Sequence, residues 1–211
     1  MAATWPSASS RTRFGRSPLN PPSCRSGSRS TAITLRPVAL RRLLTSAASK
    51  TYSAAPAPCG SVSEQSVKSL VPGAKTAGKE IPSTDSKARR TCSWNALKGY
   101  DYRWLDISFE LMESDEAAQK SYKARIAEKS GGGAVPGLGD AAYSVVNLTT
   151  EDKQQTREGV VVAQVSNALV VITYNGSDFE TKKAPSTDEI NKGAIKAAKE
   201  AVAALEGGQK A

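Results

Sequence analysis

The chain has 211 residues, with 29 Lys and Arg against 20 Asp and Glu, a formal net charge of +9, 39% hydrophobic residues and no histidine. The lack of histidine excludes Ser-His and Cys-His catalytic pairs, His-ligated zinc or haem, and a histidine pH switch. All of the excess charge lies in residues 1–58, which hold eight Arg, one Lys and no acid, so the remainder carries 20 basic and 20 acidic side chains and is neutral.

Residues 1–58 also contain seven of the eleven prolines and eleven serines, with no apolar run longer than Val38 to Leu40. Such a composition buries too little surface to offset its ordering entropy, which predicts a disordered leader and linker over 1–58. Three readings of the leader compete. It is an organelle transit peptide, a basic arm for an anionic surface or nucleic acid, or translated GC-rich DNA upstream of the true start. It has no apolar core of the kind a secretory signal needs, and no stretch of the chain approaches the roughly 18 to 20 apolar residues of a membrane span. A single domain is expected over 59–206, followed by a flexible tail over 207–211.

Within the body, Ser61 to Glu64 has capping-box spacing ahead of Val67, Leu70 and Val71, predicting a short helix that runs into Pro72. Gly73 to Arg90 is polar and punctuated by Pro and Gly, a surface loop. Thr91 to Leu97 reads as a strand. From Tyr102 to Leu111 the alternation is strict: Leu105, Ile107, Phe109 and Leu111 face one way, Tyr102, Trp104, Asp106, Ser108 and Glu110 the other. Ser114, Asp115 and Glu116 open a helix carrying Ala118, Tyr122 and Ile126, stopped by Gly131 to Gly133. Strands follow at Ala141 to Leu148 and Gly159 to Ser166, joined by the polar run Thr149 to Glu158, and then a hairpin through Ser166 and Asn167 into Ala168 to Asn175. Ser186 to Glu189 caps a last helix with Ile190, Ala194, Ala198, Ala201, Val202 and Leu205 on one stripe. This order predicts an α+β two-layer sandwich, a mainly antiparallel sheet with two long helices on one face.

Several patterns invite chemistry and have plainer readings. Gly137-x-Gly139-x-x-Ala142 imitates a dinucleotide fingerprint, but a helix precedes it and a strand follows, the reverse of what a phosphate at a helix N-terminus requires; it reads as a turn. Lys192, Lys196 and Lys199 form either an anion-binding stripe or a solvated face balanced by Glu189 and Glu200. Glu110, Glu113, Asp115 and Glu116 offer either a catalytic carboxylate pair or a strand end and a helix start. Asn147 and Asn175 stand in glycosylation sequons, which have meaning only on a eukaryotic secretory route. Cys59 and Cys92 are either two small buried thiols or a bridge that places the domain in an oxidising compartment. The position of each at the edge of an element and the polar segment between them favour the bridge. Tyr102, Arg103 and Trp104, with Tyr100 nearby, are the candidate ligand contacts. One-sided helix cover leaves Tyr102 and Trp104 exposed for stacking, unless the Gly73 to Arg90 loop covers that face.

Ala57-Pro58-Cys59-Gly60 before the first helix, Cys92-Ser93-Trp94, the Pro136 to Ala142 run (PGLGDAA), Asn167 to Val171 and the Ala-rich last helix together resemble an actinobacterial domain-of-unknown-function family of lipoproteins and other secreted or membrane-tethered proteins. The resemblance covers about residues 57–206. It implies a Mog1/PsbP-like sandwich, an envelope location and a disulfide between Cys59 and Cys92, and it brings no catalytic residues. The front of the chain departs from that pattern, because neither Cys24 nor Cys59 follows a lipobox.

The resulting expectation is a monomeric extracytoplasmic binding or sensor-type domain without catalytic activity, cofactor or metal. Its partner is an envelope ligand or protein, and the folded part is expected to bind no nucleic acid. The alternatives are an enzyme using carboxylates or lysines in a cleft, and a binder of anionic surfaces or nucleic acid through the leader.

Overall fold

The computed structural model describes residues 51–208. Residues 1–50 of the expected leader, Cys24 among them, and residues 209–211 of the expected tail lie outside the described residues. Strands β1 (Lys79–Ile81), β2 (Arg89–Lys98), β3 (Asp101–Leu111), β4 (Gly133–Ala134), β5 (Ala141–Glu151), β6 (Gln154–Val165) and β7 (Ala168–Asp178) form one sheet. The helices are α1 (Glu64–Leu70), α2 (Asp115–Ala127) and α3 (Thr187–Gly207). The seven strands run in the order β1-β2-β3-β7-β6-β5-β4 and every neighbouring pair is antiparallel. The protein is therefore an α+β structure built on an antiparallel sheet.

The two long helices do not share a face. Alternation along β6 sends Val161, Ala163 and Val165 into the main core with α3, and Val162 into a second cluster with Ala118 and Tyr122 of α2. On β7, Ala168, Val170 and Ile172 likewise face α3, and Leu169 faces α2. The expectation of one-sided cover fails because these central strands are apolar on both faces, and such strands need cover on each side. That signal lay in the unbroken run Ala168 to Ile172.

Polar sequence conceals strand in two places. Thr149 to Glu158 is not a connecting loop. It extends β5 and β6 into a hairpin whose turn residues Asp152 and Lys153 have φ of 48° and 67°, the left-handed pair that a tight two-residue turn requires. The Gly73 to Arg90 loop contains β1, an edge strand exposed along its length. The first helix is capped by Ser63, whose side chain accepts from the Ser66 amide, and not by Ser61. Ser61 instead closes a 3-10 turn over Pro58–Gly60 and donates its hydroxyl to the Pro58 carbonyl at 2.6 Å. Ser114 and Ser186 cap α2 and α3 as their spacing predicts.

Cys59 and Cys92 are joined in a disulfide that spans 33 positions and ties the 3-10 turn to β2. Ordered packing reaches back beyond Cys59, since Tyr52 and Ala55, within the expected linker, are buried in the main core. The fully buried Asn167 holds that segment. Its carbonyl accepts from the Tyr52 amide at 2.8 Å and its amide donates to the carbonyls of Tyr52 and Met112 at 2.9 and 3.0 Å.

Two stability outcomes follow. Asn167→Ala removes the side-chain partner of three backbone groups, two of them buried, and is expected to cost about 2–4 kcal/mol, read as a lower denaturation midpoint with unchanged slope. Reduction of the disulfide should add two hydrogen masses and cost about 3–4 kcal/mol for a loop of this length. An unchanged intact mass would show that the thiols are not bridged.

Candidate functional site

The sheet face that carries α2 is covered only towards one end. There the α2 side chains Ala118 and Tyr122 pack on Val162 and Leu169. Arg125 of α2 pairs with Glu110 of β3, which also meets Arg89 at 3.6 Å. Glu110 is thus a buried carboxylate held between two guanidiniums. Glu116 lies at the α2 N-terminus, where a hydrogen bond with Ser114 lowers its carboxyl below the usual range.

Towards the other end the face is open. Pairing of β2 with β3 and of β3 with β7 lays out cross-strand rows: Thr91, Ser108 and Val171; Ser93, Asp106 and Thr173; Asn95, Trp104 and Asn175. A cleft of about 480 Å³ runs over the first two rows. Its base is formed by Asp106, Ser108, Val171 and Thr173, and its walls by Arg89, Thr91 and the stretch from Ile81 to Thr84. The Gly73 to Arg90 segment therefore walls the cleft and leaves Trp104 37% exposed.

Trp104 is held in place. Its indole N–H donates to Ser93 Oγ at 2.9 Å and to Asp106 Oδ1 at 2.7 Å, which ties that edge of the ring down to the sheet. Tyr102 meets it edge-on, with ring centroids 6.5 Å apart and planes at 86°, and Phe179 lies beyond Tyr102 at 6.0 Å. Burial first, and the Asp106 charge second, raise the Tyr102 phenol above its ordinary value. Thr91 and Ser108 share a hydroxyl hydrogen bond of 2.7 Å.

The three residues singled out from the sequence separate here. Tyr102 and Trp104 share the open face, whereas Arg103 turns to the α3 face, where it pairs with Asp101 and with Glu189 at 2.8 Å. Burial works against the Arg103 charge, but the bond to Glu189 and the acids around it prevail and raise its pKa. Arg103 is thus engaged in ion pairs between β3 and α3. Glu189 is consequently not a partner of the α3 lysines; Lys192 pairs with Asp188 at 2.6 Å instead. Sequence reasoning did not single out Ser93, Thr91, Asp106, Ser108 and Thr173 as site residues. Alternation already put Asp106 and Ser108 on the Trp104 face, but only strand pairing adds β2 and β7 beside them. The run Gly137 to Ala142 is the turn into β5, with Gly137 and Gly139 at φ of 71° and 58°. Among the described residues no group of three or more Cys, Asp or Glu side chains is placed to hold a metal ion.

Neither a protein-family profile nor a curated protein matches the chain. Two solved structures show a partial likeness. One is a protein from Bacteroides thetaiotaomicron, with 9% identity over 56% of this chain and a TM-score of 0.36. The chain spans about half of that protein, 47% of its length. The other is the extracellular domain of PknH from Mycobacterium tuberculosis, with 11% identity over 66% of this chain and 96% of that one, and a TM-score of 0.31. The chemistry of the open face has to be read from its own side chains.

Asp106 joins the aromatic end of that face to its polar end, and both ends report on it. Asp106→Asn removes the negative charge near Tyr102 and keeps an acceptor for the indole. The Tyr102 phenol should then titrate at lower pH, seen as phenolate absorbance appearing earlier in an alkaline titration that Tyr102→Phe abolishes. Asp106→Ala should in addition loosen the indole, leaving it only the Ser93 hydroxyl as acceptor, and red-shift its emission.

Proposed function

We propose that the chain is a non-enzymatic extracytoplasmic binding domain that takes its ligand on the open sheet face, at the cleft and beside Trp104. The observation that carries this reading is the anchoring of Trp104. A partly exposed indole whose only polar group is already bonded to Ser93 and Asp106 presents its ring, and nothing else, to a partner. The cleft alongside falls in the roughly 300–1,000 Å³ range of small-molecule sites. The disulfide supports an oxidising compartment. No helix among the described residues is long and apolar enough to cross a membrane. An envelope location and kinship with the family of lipoproteins and tethered proteins remain part of this proposal.

The enzymatic reading receives less support. The cleft is lined by a single carboxylate, Asp106, and one of its oxygens is engaged by the indole. A pair of acids set for proton transfer requires a second group within reach.

A probe-mapping experiment tests the location. Glucose, N-acetylglucosamine, lysine, diglycine and AMP are titrated separately into the isotopically labelled protein and amide shifts are followed. Shifts for any responding probe should concentrate at Thr91, Trp104, Asp106, Ser108 and Thr173. Shifts confined to another surface, such as the lysine face of α3, or no shifts with any probe, would overturn the reading.

A further inference from the structure

The lining of the cleft points to a class of ligand, given that the open face is the binding face. Charge is balanced within it. Arg89 and Asp106 are its one cation and one anion, and Arg89 is also drawn towards Glu110 at 3.6 Å. A phosphate or polyanion calls for converging cations that this lining lacks. A lipid calls for an apolar lining, whereas here only Ile81, Pro82 and Val171 are apolar. What dominates is hydroxyl: Ser83, Thr84, Thr91, Ser108 and Thr173. Each hydroxyl both donates and accepts, so such a lining matches a ligand whose own groups do both.

Asp106 supplies the second element. Its Oδ1 accepts from the Trp104 indole and only that oxygen is engaged by a protein donor among the described residues. The other is free to accept a charge-assisted bond from a ligand hydroxyl immediately beside an aromatic ring. An aromatic surface for the C–H face of a ring, next to a carboxylate and a bank of hydroxyls for its rim, matches one common ligand chemistry. We propose that the cleft and Trp104 form a saccharide-binding site, in which a neutral sugar ring stacks on the exposed part of the Trp104 indole. Its hydroxyls bond to the free oxygen of Asp106 and to the side chains of Thr91, Ser108 and Thr173.

The test uses the full chain and three neutral oligosaccharides, chitotetraose, cellotetraose and mannotetraose, each titrated by calorimetry and by saturation-transfer NMR. At least one should bind with a dissociation constant of about 1 mM or tighter, with heat and transfer both saturating. Trp104→Ala should weaken it about tenfold or more, Trp104→Phe less, and Asp106→Asn about tenfold through the lost charge, with all variants keeping the parent's thermal midpoint within a few degrees. Asp106→Asn keeps an acceptor for the indole, so it remains informative if Trp104→Ala proves unstable. Two results overturn the proposal: none of the three sugars binding at about 10 mM, or a sugar binding Trp104→Phe and Asp106→Asn as tightly as the parent. If lysine, diglycine or AMP perturbs the open face and no sugar does, the saccharide assignment falls while the binding face stands. If sugars bind and perturb amides elsewhere, both fall.

Discussion

Helix α3 lies so close on β5, β6 and β7 that larger side chains at the contact would not fit, and this closeness organises the rest of the domain. A Cβ at Gly193 would come within 2.6 Å of the Tyr174 ring, and one at Gly159 within 2.8 Å of Ile190. Between and beyond them α3 presents Ala194, Ala197, Ala198 and Ala201, all fully buried. Small residues let the helix backbone approach the sheet, so that the larger side chains of β3 and β7 fill the space on either side at interior density. Polar groups then meet at defined places: Arg103 with Glu189, and Tyr174, whose hydroxyl donates to the Leu70 carbonyl at 2.8 Å. Glu200 clasps α1 to the same helix. Burial alone would raise its carboxyl, but hydrogen bonds from the Ser66 hydroxyl and the Ser63 amide hold it below the ordinary range.

With one face committed to α3, the second has only α2 to cover it, and α2 is too short and too polar to do so throughout. It buries only Ala118 and Tyr122. The ion pair between Arg125 and Glu110 adds a second tie to the sheet. A buried carboxylate costs several kcal/mol in desolvation unless it is paired and hydrogen-bonded, so Glu110 requires both arginines. The price of the arrangement is that the sheet from Ser108 to Trp104 stays open, and that along this face of β7 the apolar Leu169 and Val171 give way to Thr173 and Asn175, where cover ends.

Much of this was legible in the sequence. Capping serines at 114 and 186, period-two alternation in β3 and the α3 stripe all report local geometry, and local geometry is what residue order encodes most directly. What escaped was set by pairing between distant strands. The hydroxyls of Thr91, Ser108 and Thr173 lie in three different strands, and nothing in any one of them marks it as part of a cleft. Thr149 to Glu158 resembles a loop because its strands run past the helices into solvent, where polar side chains suit a ladder as well as a turn. The ordered run from Tyr52 was hidden in a Ser, Ala and Pro composition. Its anchor, Asn167, is 115 residues away, and a turn asparagine does not advertise that its side chain replaces three backbone partners.

Arg103 and Trp104 illustrate what alternation settles and what adjacency misleads about. As neighbours in sequence they read as one cationic and aromatic site; as neighbours in a strand they point to opposite faces and serve unrelated ends. The same separation gives Trp104 its character. The ring is held by Ser93 and Asp106 at its N–H and met edge-on by Tyr102. In the proposed site, a contact side chain already immobilised would lose little further entropy when a partner arrived, which favours binding through weak stacking and a few hydroxyl bonds. A mobile indole on the same face would forfeit roughly 0.5–1.5 kcal/mol of that binding on ordering. Asp106, one of the two acceptors of the indole, also lines the cleft, so ring and cleft are set in register by one carboxylate.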